Sequence, residues 1–139
     1  MAEPVSPSAP PTPAPPVRRG NPVVAVFSAW LVPGLGHVYL KRRLRGLVFC
    51  VLVIASALIG CALEGNLYQV DPKQPLTILA TLGSMGMGIP YFLLRYGLHY
   101  QGNVMGGGYE YGTAFLLTAG LMNLLLVLDA WDIVRGRKE

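Results

Sequence analysis

The chain has 139 residues, of which 53% are hydrophobic and only 13% charged, with 17 glycines and 12 prolines. A soluble domain of this length carries about 25% charged residues. The shortfall excludes an ordinary soluble enzyme, a disordered regulator and a secreted disulfide scaffold. The formal net charge of +4 does not point to nucleic acid, because the cations are not spread over a face. They stand in short groups at the edges of apolar runs: Arg18-Arg19, Lys41-Arg42-Arg43 with Arg45, and Arg135 with Arg137-Lys138. That placement suits phospholipid headgroups and orientation signals. The lipid bilayer is therefore the expected partner, and no nucleic-acid motif accompanies the charges.

Residues 1–20 open the chain with a Pro-rich segment in which seven of the twelve prolines fall before residue 17. Each proline removes a donor and fixes φ, so a disordered, locally polyproline II tail is expected. Residues 21–136 form the expected helical membrane domain. Its apolar runs are 23–40, 46–63, 76–94 and 112–134. A bilayer core of about 30 Å needs about 20 residues, so the expectation is an all-α membrane protein of about four transmembrane helices. The first and third runs are interrupted by Pro and Gly, which membrane helices tolerate where neighbours satisfy the freed carbonyls. The first run imitates a signal peptide, but the long Pro-rich segment before it and a poor cleavage pattern argue against one.

With four spans the Lys and Arg residues divide six against five between the two sides, which fixes no orientation. If the first and third runs re-enter instead of crossing, the division becomes nine against two. The charge rule favours that version, while two runs of 18 and 19 apolar residues favour crossing. Cys50 and Cys61 stand eleven apart in one run, about 16 Å along a helix, too far to bridge.

The strongest local feature is Pro33-Gly34-Leu35-Gly36-His37-Val38-Tyr39, with KRRLRG following Leu40. Pro33 breaks the run, Gly34 and Gly36 permit a turn or close contact, and His37 and Tyr39 suit the headgroup level. In the second and third runs Ser56 and Gly60, then Ala80, Ser84 and Gly88, recur every four residues. Such stripes let membrane helices approach closely. Asn123 lies near the middle of the fourth run and reads as an interhelical hydrogen bond. Asp129 and Asp132, three apart, share a helical face at the membrane exit. A metal or proton site would need a matched His or a third acid near them in sequence, and none stands there.

Residues 21–53, NPVVAVFSAWLVPGLGHVYLKRRLRGLVFCVLV, resemble the helical hairpin of the two-transmembrane-domain superfamily through Gly34, Gly36, His37, Tyr39 and Gly46. Leu128-Asp129-Ala130-Trp131 is similar to the aspartate-bearing end of that family's later helix. The family's Asp/His-Arg-Phe centre is here His37-Val38-Tyr39, without the arginine, and an extra run precedes the last helix. The resemblance implies a small multi-span membrane protein without an enzymatic activity to carry over. The expected role is structural or interactive, as an accessory or self-associating component, without catalysis, cofactor or metal. Its partners would be lipid, a second copy or a larger membrane complex. The alternative is a small transporter or channel using Asn123, Asp129 and His37. The expected setting is a cell membrane, specifically a bacterial inner membrane.

Overall fold

The computed structural model describes residues 20–136, and among these all regular structure is helical. The elements are α1 (Pro22–Leu31), α2 (Leu35–Tyr39), α3 (Arg43–Ala62), α4 (Pro75–Met85), α5 (Ile89–Phe92), which runs on into a π-helical turn at Leu93–Gly97, and α6 (Tyr109–Val134). The Pro-rich tail lies outside the described residues. Both α3 and α6 are long and apolar enough to cross a membrane, and the bent pair α4–α5 makes a third candidate if counted as one span.

The axis of the fold is α6, against which α1, α3 and α4 all pack. Its contact faces carry small residues: Gly112, Ala119, Gly120 and Ala130 are buried beside Leu116 and Leu126. Small side chains admit three neighbours because they let backbones approach. Antiparallel to it runs α3, with Gly60 against Leu116 and the Gly112 carbonyl. Ser56 Oγ there donates to the Phe115 carbonyl at 3.0 Å.

The run 23–40, expected as one span, is not one helix. Asn21 caps α1 by accepting from Val23 N, and Pro22 starts it at a position where no N–H is needed. At Val32 the backbone turns extended, Pro33 cannot donate, and Gly34 takes a left-handed φ of 81°. The chain then reverses. In α2, Gly36 seats against Ala29 and the Ala25 carbonyl, and the Tyr39 ring reaches Gly20. The two ends of the run therefore stand side by side, and α1–α2 is a hairpin. At its turn, the Gly34 backbone packs directly on the Gly46 carbonyl of α3.

The run 76–94, also expected as one span, is bent by 113° between Met85 and Ile89. From Pro75, α4 runs parallel to α6, with Gly83 against Leu117 and Gly86 against Gly120 and Leu124. Gly88 then takes a φ of 74°, and Pro90 follows as α5 turns away. The return leg lies along α3, where Leu94 joins the core of Val53, Ala57 and Leu116. Tyr91 Oη donates to the Tyr68 carbonyl at 3.2 Å. In the 98–108 connector, Tyr100 Oη shares its proton between the carbonyls of Gly65 (3.0 Å) and Cys61 (3.3 Å). Burial, then the neighbouring Cys61 and Glu64, push the Tyr100 phenol up to about 12.

The tips of the two hairpins meet. The Gly88 backbone rests on the carbonyls of Trp30 and Leu31, leaving no room for a Cβ, and Trp30 meets Phe92 edge-on at 6.3 Å. Gly88→Ala should therefore lower stability by roughly 1–3 kcal/mol from backbone strain, with the steric contact adding to it. Gly107, whose added Cβ would meet nothing within 4 Å, is the matched control: Gly107→Ala should leave the thermal midpoint in detergent unchanged or slightly raised. For Tyr100 the raised pKa stabilises the fold at and below pH 10, the ordinary phenol value, and that contribution is lost as pH rises toward 12. Tyr100→Phe should flatten this alkaline limb in a pH series of unfolding curves.

Candidate functional site

Where a membrane helix breaks, the carbonyls of its last turn lose their partners and the bilayer offers no donor in exchange. Two such breaks occur here, and proline makes both worse. Pro33 stands three residues after Trp30, Pro90 four residues after Gly86, and neither has an N–H to give. Asn123 supplies what they lack. Fully buried on α6, it donates from Nδ2 to the Trp30 carbonyl at 3.1 Å and to the Gly86 carbonyl at 2.8 Å. One amide thus closes both tips, and its orientation follows from having two acceptors before it. Its Oδ1 is buried without a hydrogen-bond partner.

A second polar contact stands nearer the α1–α2 hairpin base. His37 on α2 is fully buried, and its Nε2 lies 2.9 Å from Oδ2 of Asp129 on α6. These residues are 92 positions apart in the chain. Gly36 and Gly46 make the approach possible, since each admits α2 where a Cβ would clash. The imidazole sits beside Phe49 at a ring separation of 6.0 Å, and the Asp129 side chain remains 23% exposed. The other ring nitrogen, Nδ1, is buried without a hydrogen-bond partner. Asp129 also lines, with Arg45, Phe49 and Met122, a cleft of about 420 Å³ between α3 and α6.

The remaining candidate positions fall into place around these contacts. Pro33 and Gly34 form the hairpin turn, and Tyr39 lies half exposed over Gly20. Asp132 stays outside the His37 contact, and Arg135 lies over the Trp131 ring at 4.2 Å. In the small-residue stripes, Ser84 is buried and bonds back to the Ala80 carbonyl. Two features escape a reading of the sequence. The acceptors of Asn123 are backbone carbonyls, and Arg45, counted there as an orientation charge, stands in the cleft of Asp129. The prolines three and four residues beyond those carbonyls are the signal that could have revealed the first.

Fold and site together define a small all-helical protein of membrane type, built on two long apolar helices and two broken ones. Residues 24–139 match the model of a family of unknown function, DUF6677, and the chain belongs to that family. No curated protein and no solved structure matches it.

Removing Asn123 should be costly out of proportion to its size. Asn123→Leu strands two buried carbonyls, each worth about 1–3 kcal/mol, and should lower stability by about 2–6 kcal/mol, read as a lower unfolding midpoint in detergent. His37→Phe and Asp129→Leu should each destabilise by breaking the contact, Asp129→Leu the more because it leaves Nε2 of the fully buried His37 without its acceptor. The double variant should recover part of that loss, as replacing a whole buried pair does.

Proposed function

We propose that this is a multi-pass membrane protein of structural or interaction type, acting without catalysis as an accessory or self-associating component. In this reading α3 and α6 cross the bilayer completely. The α1–α2 hairpin dips in from the side where α3 begins and α6 ends, and α4–α5 dips in from the other.

The observation that carries the reading is the use made of the deepest polar group. Asn123 spends both its N–H donors on hairpin tips and is closed to solvent. It serves as a pin, and the buried Leu126 separates it from Asp129 along α6. A transport path would require polar groups in sequence across the core. The re-entrant arrangement also agrees with the charges. Arg18, Arg19, Lys41, Arg42, Arg43, Arg45, Arg135, Arg137 and Lys138 come to one side, and Lys73 and Arg95 to the other. By the positive-inside rule the nine mark the cytoplasmic face, and a bacterial inner membrane is the setting proposed. The likeness to the two-transmembrane-domain hairpin enters here as well, since Gly34, Gly36 and Gly46 are the positions where that motif's backbones touch.

Reporter fusions after residues 44, 70 and 105 and at the C-terminus test the topology. The expected result groups 44 with the C-terminus on the cytoplasmic side and 70 with 105 on the far side. Four crossings would instead pair 44 with 105 and 70 with the C-terminus. For the role, a pull-down from native membranes should retain a second copy or a defined partner chain. A proton- or ion-dependent flux in reconstituted vesicles, abolished by Asp129→Asn, would overturn the structural reading in favour of transport.

A further inference from the structure

The face between α3 and α6 carries more than packing requires. On α3, Arg45, Phe49, Leu52 and Ser56 stand four, three and four residues apart; on α6, Asp129, Leu125, Met122 and Thr118 do the same in reverse. Such spacing puts each set on one stripe of its helix. The two stripes face one another across two clefts of about 420 Å³ each, which meet at Met122. Together they form one groove, running from Arg45 to Ile59 over about 21 Å of helix, out of a hydrocarbon core of about 30 Å. Its charged side chains, Arg45 and Asp129, both line the cleft at one end; the other cleft is lined by apolar side chains with Ser56, Thr118 and Tyr111.

We infer that this groove seats one phospholipid bearing a primary-ammonium headgroup, with its phosphate on Arg45, its ammonium toward Asp129 and an acyl chain along the stripes. The shape is that of a long, narrow apolar chain. Charge complementarity chooses the headgroup. A guanidinium pairs with phosphate in a two-toothed contact. The N-terminus of α3 strengthens that end, having no side-chain cap and no acidic residue in its first turn. The carboxylate meets the ammonium, and a carboxylate accepts several donors at once, so His37 is no obstacle. Apolar contact alone selects nothing here, because bulk lipid tails are as apolar as the groove. Selectivity must therefore come from the headgroup, which is what the test should read.

The inference rests on the bilayer placement proposed above, which the fusions test independently. The full chain would be reconstituted with equal amounts of phosphatidylethanolamine, phosphatidylglycerol and phosphatidylcholine of identical acyl chains. It would then be extracted in mild detergent and its retained lipid read by native mass spectrometry. One retained phosphatidylethanolamine is expected, enriched about tenfold over the other two, the size of one or two headgroup charge contacts. Arg45→Gln, at an exposed position, should lose the retained lipid, since all three lipids share the phosphate it holds, as should Met122→Trp, which plugs the groove and leaves its mouth intact. Arg43→Gln, outside the groove, should keep it. Equal retention of the three lipids, preference for phosphatidylglycerol, or an Arg45→Gln protein that retains lipid like the wild type would each overturn the inference. A wild-type chain with the expected topology and no lipid preference would do so without touching the topology.

Discussion

A helix that stops inside a bilayer leaves carbonyls with nothing to accept, and everything else in this fold is arranged around that problem. In the placement proposed above, the chain stops twice at depth, at Leu31 and at Met85. In water each break would cost little, since solvent would bond the exposed groups. In hydrocarbon, each unsatisfied group costs several kcal/mol. A single amide on a continuous neighbour can satisfy both only if the two tips come to the same height on that neighbour. Asn123 thereby sets the depth of both hairpins: about 21 Å of helix lies before it in α6 and about 16 Å after it.

Reaching one amide from two directions demands unusually close backbones, which explains the distribution of small residues. Gly36 against Ala29 closes the first hairpin, and Gly86 against Gly120 brings α4 onto α6. The tip contact itself is Gly88 on the Trp30 carbonyl. With larger side chains at these sites the tips would stand off α6 and Asn123 would fall short of its acceptors. Close packing and polar satisfaction are here one requirement: the glycines make the approach, and the amide makes the approach tolerable.

Much of this was legible in the sequence, and the rest was hidden for a definable reason. The two uninterrupted runs, 46–63 and 112–134, correspond to α3 and α6 with boundaries shifted by no more than three residues. The interrupted runs had the right composition for helices, and Pro33 and the glycines of the third run marked where they break. Composition does not say whether a broken run carries on or folds back. That depends on single backbone angles, the φ of 81° at Gly34 and 74° at Gly88, which a glycine permits and its letter does not report. The His37–Asp129 contact was hidden for a different reason. Each residue was a candidate by itself, but a separation of 92 positions leaves no periodicity to join them.

The charge count is where sequence and structure bear on each other most directly. Taken along a chain of four crossings, the cations divided almost evenly and said nothing. Folding the first and third runs back on themselves gathers nine of the eleven on one side, with no residue changed. In the proposed placement this is also the side on which His37 meets Asp129 of α6 and on which the cleft of Arg45 and Asp129 lies. A hairpin that enters and leaves through one face gains from an anchor at its base, because its tip is held by two hydrogen bonds to backbone and a few close contacts. The basic loop that follows Leu40 provides it by preferring anionic lipid surface. The His37–Asp129 contact provides it again from within. In the proposed placement the same cluster of residues would both orient the protein and fasten its least continuous element, which accounts for charges concentrated there and sparse elsewhere.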